Sequence, residues 1–388
     1  MFHSKSRVNF PCNVCSNCGR ITTTDMYKPN FTISNNLLTY IARIEAAKSV
    51  IDLSPLVPAY EAKFREDALS KTIHFGTKIE GNELSAEQAQ QVVRLENVND
   101  TQEVMKKTGI IARERDIQEV LNYRNVSAWI DKQENLKTTK VFNEDTLKTL
   151  HRLTVKNLIE PDYAGTYRDK QVIVESAGGG GVVFRPPVSV EVPYLVKDMF
   201  EWGNSSQIKS THPIFQAGIV HYQLAYIHPF VEGNGRTARA MATLLLSALG
   251  YNFKRFFSLE QYFDGDVEAY YNALLSVQQS PKHDLTFWLE YFCYGVALEI
   301  DKVQRQVGKL SKDLKLKKQL GKQVALSERQ IVLLEMFQQQ DEVTSDDAQG
   351  ILPNISVDTI LRDIKDLIAK GVIEKQGVTK GVRYKLKD

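Results

Sequence analysis

Cysteine is scarce, with four in 388 residues. A chain of this length can bury a sizeable core without covalent staples, so a disulfide scaffold is excluded. Long apolar runs are missing as well. No uninterrupted stretch is long enough to span a bilayer, and no membrane role is expected. Charge of one sign is also lacking: Lys and Arg number 49 and Asp and Glu 47, for a formal net charge of +2. That balance excludes bulk attraction to nucleic acid or to a membrane surface. The first residues, Met1-Phe2-His3-Ser4-Lys5-Ser6-Arg7, have no apolar core of a signal peptide, so the expected compartment is the cytoplasm. What is present, 43% hydrophobic and 25% charged residues, is an ordinary soluble composition with room for two or three domains.

Three of the cysteines stand together in Cys12-Asn13-Val14-Cys15-Ser16-Asn17-Cys18. The spacing suits zinc or an iron–sulfur cluster, but three thiolates do not close a tetrahedral site. A second Cys-x-x-Cys pair is absent, and a fourth ligand would have to be His3 or the distant Cys293. Cys293 lies in the apolar stretch Trp288-Leu289-Glu290-Tyr291-Phe292-Cys293-Tyr294 and reads as a small buried hydrophobe. A polar extension without metal is the expectation for residues 1–30.

One stretch concentrates chemistry: His228-Pro229-Phe230-Val231-Glu232-Gly233-Asn234-Gly235-Arg236-Thr237-Ala238-Arg239. Apolar helical sequence flanks it, from Pro213 to Ile227 and from Ala240 to Leu246. Gly233 and Gly235 let the backbone take positive φ and a ligand approach closely. N–H groups of such a turn, at a helix start, make an anion nest. Arg236 and Arg239, three apart, emerge on one face of the first helical turn and can fork onto phosphate oxygens. Glu232 is a hard oxygen ligand suited to Mg²⁺. His228 can accept a proton near neutrality. A helix-end ion-pair network would use the same residue types, but not in this order.

His-x-Phe-x-Glu-Gly-Asn-Gly-Arg-x-x-Arg resembles the signature of Fic-domain proteins at every defining position. Most characterised members transfer AMP from ATP to a hydroxyl side chain of a target protein. The resemblance implies that His228 deprotonates that hydroxyl and that Phe230 anchors the loop. It implies that Glu232 holds Mg²⁺, that Gly233-Asn234-Gly235 cradles the α- and β-phosphates, and that Arg236 and Arg239 clamp the β- and γ-phosphates. Thr237 and Ala238 complete the ATP-binding stretch. The implied fold is mainly α, a Fic-type helical bundle with a β-hairpin flap.

Two neighbouring features extend the resemblance. Ile79-Glu80-Gly81-Asn82 is similar to the inhibitory helix of the family, which implies that Glu80 pairs with Arg239 and leaves ATP unproductively bound. The Ser/Thr position four before Glu80 is Gly76, with Thr77 one later, so the supporting hydrogen bond departs from the family pattern. Gln171-Val172-Ile173-Val174 and Val182-Val183-Phe184, around a glycine run, read as a β-hairpin. The resemblance makes this hairpin, with Val172, Ile173 and Val174, a flap that aligns the target by strand-like contacts. Tyr270 and Tyr271 match a tyrosine pair that helps enclose adenosine in many members. An aromatic pair on an apolar helix also reads as core. His151, on a helical face, is assigned no chemistry.

The organisation expected is a polar extension over 1–30 and a helical region with the inhibitory turn over 31–115. A catalytic domain follows over 116–300, with its core at about 142–290. A lysine-rich linker over 301–322 leads to 323–388. There, three helices and a hairpin resemble a winged helix, with Lys380 at the wing tip. Asp358, Asp363 and Asp366 share its third helix with Arg362 and Lys365. That helix face leaves duplex DNA binding open against a protein-interaction or dimerisation module. The reading of the whole chain is an autoinhibited, Mg²⁺-requiring protein adenylyltransferase. Its partners are ATP, a target protein, DNA through the C-terminal region and a second copy of the chain. The alternatives are a DNA-binding regulator with a nucleotide-sensing core, and removal of AMP from a modified protein with Glu80 orienting water.

Overall fold

The computed structural model describes residues 27–54, 56, 58–95, 97–133, 141–175, 182–319, 327–340, 342–353, 355–377 and 382–387. Cys12, Cys15, Cys18, the glycines at 178–181, Lys322 and Lys380 lie outside the described residues. The chain is mainly helical. In order come α1 (Asn35–Leu53), α2 (Pro58–Lys78), α3 (Ala86–Arg94), α4 (Thr101–Thr108), α5 (Glu114–Gln133) and α6 (Glu144–Thr154). A hairpin of β1 (Val174–Glu175) and β2 (Val182–Phe184) follows. Then come α7 (Val192–Gly203), α8 (Pro213–Ile227), α9 (Asn234–Ala248), α10 (Leu259–Gly265), α11 (Val267–Gln279) and α12 (Thr286–Gln319). Last are α13 (Glu328–Gln339), α14 (Ser345–Ile351), α15 (Val357–Ala369), β3 (Ile373–Gln376) and β4 (Arg383–Leu386).

The chain forms two compact units, Met1–Ser49 with Ala62–Lys302, and Val50–Glu61 with Val303–Asp388. The segments 31–115 and 116–300, read separately above, thus fall largely in one unit. α8 and α9 are its centre. Both are buried on nearly every side, as expected of helices that are apolar all round. Gly218 on α8 has Trp288 against it, whose indole N–H donates to the Gly218 carbonyl at 2.8 Å. Among the described residues, no helix is long and apolar enough to cross a membrane, and no three His, Cys, Asp or Glu side chains cluster to hold a metal. Cys293 is buried in α12, where burial pushes its thiol pKa up.

α2 runs through Gly76 to Lys78, and the Tyr123 ring fills the space that a Gly76 side chain would take, 2.5 Å from an added Cβ. Two boundaries differ from the sequence reading. α12 continues past Lys302, so the lysine-rich segment is helical as far as Gln319. The first hairpin is shorter than expected. Val174 pairs Phe184 and Glu175 pairs Val182 across a bulge, while Val172 and Ile173 stay outside the strand. The partner chain continues as Arg185-Pro186-Pro187, and proline has no N–H to extend a ladder. Gln171 takes the Pro186 carbonyl through its side-chain amide instead, at 2.8 Å.

The second unit has its own core of Leu333, Met336, Phe337, Ile360, Ile364 and Leu367 with Ile373 and Tyr384. β3 and β4 pair antiparallel from Ile373↔Leu386 to Gln376↔Arg383, and Val343 bridges Tyr384 on the other edge.

Candidate active site

The stretch from His228 to Arg239 connects α8 to α9, and its backbone is fixed before any ligand arrives. His228 ends α8 in the left-handed region, φ 51°, with its N–H on the Leu224 carbonyl at 3.0 Å. Its Nδ1 lies 3.1 Å from the Ala225 carbonyl. A carbonyl only accepts, so Nδ1 carries the proton and Nε2 keeps its lone pair for an incoming hydroxyl. Burial lowers the imidazole pKa, while the Ala225 contact and Glu80 act in the opposite sense. Neutral imidazole is the form a general base needs.

Asn234 closes the turn. Its side chain accepts from the Phe230 N–H at 2.9 Å and donates to the Phe230 carbonyl at 2.8 Å. The side chain is thereby spent on the loop itself. Phe230 is fully buried and stacks on His151, ring centroids 3.7 Å apart. His151 Nδ1 accepts from the Gly165 N–H at 2.8 Å, so Nε2 donates to the Glu232 carbonyl at 2.9 Å. Burial lowers the His151 pKa to about 4 and keeps it neutral in that tautomer. The histidine given no chemistry above is a structural post for the loop.

Gly233 caps α9 at φ 75°, and a Cβ there would lie 2.6 Å from Val155. Glycine is required on both counts. The first-turn N–H groups of α9 have no intrahelical acceptor and face the loop. Thr237 ties its hydroxyl back to the Gly233 carbonyl at 2.8 Å, and Ala238 is buried.

The arginines are held by carboxylates from three segments. Arg239, 2% exposed, donates to Glu80 Oε1 and to the Gly76 carbonyl, both at 2.8 Å. Burial disfavours the Arg239 charge, but Glu80, Tyr270 and Tyr123 together outweigh it and the guanidinium pKa stands well above its ordinary value. In turn burial raises the Glu80 carboxyl pKa, and Arg239 and Arg236 together bring it below the ordinary value. The Glu80 carboxylate sits directly over Gly235, where any side chain would run into it. Thr77 turns its hydroxyl back to the Ile73 and His74 carbonyls, so the second bond to Arg239 comes from the Gly76 backbone.

Arg236 lies 3.3 Å from Glu119 and 3.8 Å from Glu232. Its Nε and Nη1, and Nε of Arg239, are buried with no hydrogen-bond partner among the described residues. Glu232 also pairs with Arg115. Arg236, Glu119, Glu232 and Arg115 line a cavity of about 290 Å³ together with Glu80, Arg113 and Asp116. Buried guanidinium N–H groups without acceptors, beside open helix N–H groups, fit an anion with several oxygens. Glu232, its side chain 34% exposed, fits a cation bound jointly by one carboxylate and phosphate oxygens.

Tyr270 is 2% exposed, and its hydroxyl meets His221 Nε2 at 2.9 Å. It is packed as core. Tyr271 is half-buried, and burial raises its hydroxyl pKa with Glu80 adding to the rise. Of the pair, Tyr271 is the one that the structure leaves partly open.

Three residues escaped the sequence reading. Arg168, 2% exposed, donates to the His228 carbonyl at 2.7 Å, to Pro187 at 2.5 Å and, through its backbone N–H, to Pro229 at 2.9 Å. It pins His228 to the base of the hairpin. Glu119, 4% exposed, joins Arg236 to Asn82, whose amide donates to it at 2.9 Å. Arg115 covers Glu232. Only Glu119 had a usable signal, since Asp116, Glu119 and Asn122 follow a helical stripe of polar residues inside an apolar helix.

Residues 141–246 match the Fic/DOC family. This segment forms a Fic domain. The chain is 29% identical over 187 residues to a protein named protein adenylyltransferase Fic of Drosophila grimshawi, covering 48% of this chain and 35% of that one. It is 28% identical over 212 residues to the Drosophila erecta protein of the same name, covering 54% and 39%. The match therefore spans well under half the length of these relatives. A crystal structure of a Fic family protein from Desulfovibrio desulfuricans superposes with a TM-score of 0.60 at 22% identity, over 93% of this chain and 98% of that one. Fic-1 from C. elegans gives 0.51 at 21% identity, over 70% and 71%. At these identities the structures speak for the fold. The signature loop, α8, most of α9 and the first hairpin all lie inside the Fic domain, whereas Glu80 and Glu119 reach it from outside the matched segment.

Proposed function

We propose that the chain transfers AMP from ATP to a Ser, Thr or Tyr hydroxyl of a protein, and that Glu80 holds this activity down. The observation that carries the reading is the pairing of a neutral His228, lone pair on Nε2, with buried guanidinium N–H groups that lack acceptors. The names of the Drosophila relatives support it. The target hydroxyl oxygen attacks the α-phosphorus, the bond to the bridging oxygen breaks, and pyrophosphate leaves. The hydroxyl proton passes to His228 Nε2. The N–H groups at the start of α9 and the arginines stabilise charge on the phosphates, and catalysis rests on positioning and electrostatics. Glu232, released by Arg115, would hold Mg²⁺, which would neutralise phosphate charge. Tyr271 flanks the adenosine.

Inhibition follows from competition. Glu80 occupies Arg239 and the space over Gly235, which a γ-phosphate needs. Glu80→Gly is expected to raise auto-modification with labelled ATP about tenfold, the equivalent of about 1.4 kcal/mol. Equal, low incorporation in both proteins would refute inhibition by Glu80. The flap reading narrows to Val174 and Glu175, the residues of β1 that are paired.

A second reading concerns the C-terminal unit, whose three helices and hairpin resemble a winged helix. Asp363 pairs with Arg329 at 2.9 Å and Asp366 with Lys370 at 2.5 Å, which leaves Arg362 and Lys365 exposed on α15. We infer duplex DNA binding through this face. A salt-sensitive gel shift that survives the Arg362→Ala, Lys365→Ala double change would overturn it.

A further inference from the structure

Arg115 reaches the anion cavity from outside the matched Fic segment. It stands in the first turn of α5, where the helix dipole works against a cation. The acids on either side of it are already taken. Asp116 accepts from Arg113 at 2.8 and 2.9 Å, and Glu114 accepts from the Gln102 amide. Arg115 draws instead on two carboxylates farther away, Glu119 one turn on and Glu232 of the signature loop. Glu119 is a crowded acceptor. Its Oε1 lies 3.3 Å from Arg115 and 3.3 Å from Arg236, and its Oε2 takes the Asn82 amide at 2.9 Å. Glu232 is thus the acceptor that completes the Arg115 fork, and it is the carboxylate that the proposed function gives to Mg²⁺. Once that carboxylate is given up, Arg115 needs another anionic oxygen. Its side chain is 49% exposed and has room to turn, whereas Arg236 at 3% is held in place. Arg115, Arg236, Glu232 and Gly233 all line the cavity of about 290 Å³.

We propose that Arg115 is a further substrate-binding residue, one that trades the Glu232 carboxylate for an oxygen of the triphosphate beyond the α-phosphate. The inference rests on the nucleotide reading of the site. Its place along the triphosphate follows from Glu119. Arg115 and Arg236 share one oxygen of that carboxylate, so the Arg115 guanidinium sits at the arginine end of the loop. The α-phosphate is attacked by the hydroxyl that His228 deprotonates and so lies at the other end. Arg115 therefore faces the part that leaves as pyrophosphate. Its Nε stays on Glu119 while Nη2, which meets Glu232 in the empty site, turns to the phosphate. One ion pair replaces another, so the exchange leaves no charge in the cavity without a partner.

Calorimetry of nucleotide binding to the full chain with Mg²⁺ tests it, with His228→Ala present throughout to prevent turnover. Adding Arg115→Ala is expected to weaken ATP binding at least fivefold and AMP binding less than twofold. Arg115→Gln is expected to do the same. Both variants are expected to keep the melting temperature within a few degrees, since the side chain is half exposed. If one variant fails to fold, the other decides. A residue that only plugs Glu232 would give the opposite sign, because its removal frees the carboxylate. Unchanged or tighter ATP binding, or an equal loss for AMP, overturns the inference and leaves the adenylyltransferase reading untouched. Absence of ATP binding to the protein that keeps Arg115 refutes that reading, and the inference with it.

Discussion

At the His228 end of the signature loop, the loop's own side chains are answered from nearby, while Arg168 and His151 hold only its backbone carbonyls. His228 finds Ala225 three residues back, and Asn234 serves Phe230 four residues away. At the arginine end the partners are remote. Glu80 is 159 residues from Arg239 in sequence, and Glu119 reaches Arg236 from α5. The first end is built to keep one geometry through a reaction cycle. The second is held by carboxylates that a phosphate can replace, and its unpartnered N–H groups mark where the replacement is incomplete. On the proposed function, pre-organisation and regulation are thus separated within twelve residues: a local bond orients the base, and long-range ion pairs gate the anion site.

The largest test of this contrast is at the base. His228→Ala is expected to lower transfer about 10³-fold while ATP binding, read by calorimetry, changes less than threefold. A comparable loss of ATP affinity would mean that the two ends are not separate. Next is the post beneath the loop. His151 is neutral when folded, with a pKa of about 4 against an unfolded value of 6.5. As pH falls from 6.5 through 4 the unfolded chain takes up this proton first, so stability is lost across that window. The amount is on the order of 3 kcal/mol. Urea midpoints against pH read it, and His151→Gln is expected to flatten that slope.

Arg168→Lys removes the fork that joins the His228 carbonyl to Pro187. The expected loss is about 10- to 50-fold in kcat with an unchanged KM for ATP, since positioning and not phosphate binding is affected. An equal rise in KM would place Arg168 in the anion site. The smallest effect crosses from one end to the other. Glu80 raises the His228 pKa against the larger lowering by burial. The acid limb of kcat/KM is expected below pH 6.5, and lower still in Glu80→Gly.

Several features were legible because their information is local. The Pro213 start of α8 and the glycine at the α9 cap each act within a few residues. Glu80 was also found, through its resemblance to a known motif. The missed residues share one property: Arg168, Glu119 and Arg115 are charged residues whose role depends on what lies opposite. A pattern of residue types along the chain does not say which charged side chain will be enclosed. Val172 and Ile173 failed for a related reason. Their strand propensity was real, but the partner strand stopped at two prolines.

The sequence by itself determined the chemistry on offer: a base, an anion-binding turn and two arginines at helical spacing, in a mainly helical chain. Tertiary structure alone decided which carboxylates answer the arginines. It also placed Tyr270 in the core and left Tyr271 half-buried. The physical reason is range. Turn geometry and helix caps are set by neighbours in the chain. Burial and ion pairing are set by segments more than a hundred residues apart, and they decide whether a charged group is a tool, a plug or a post.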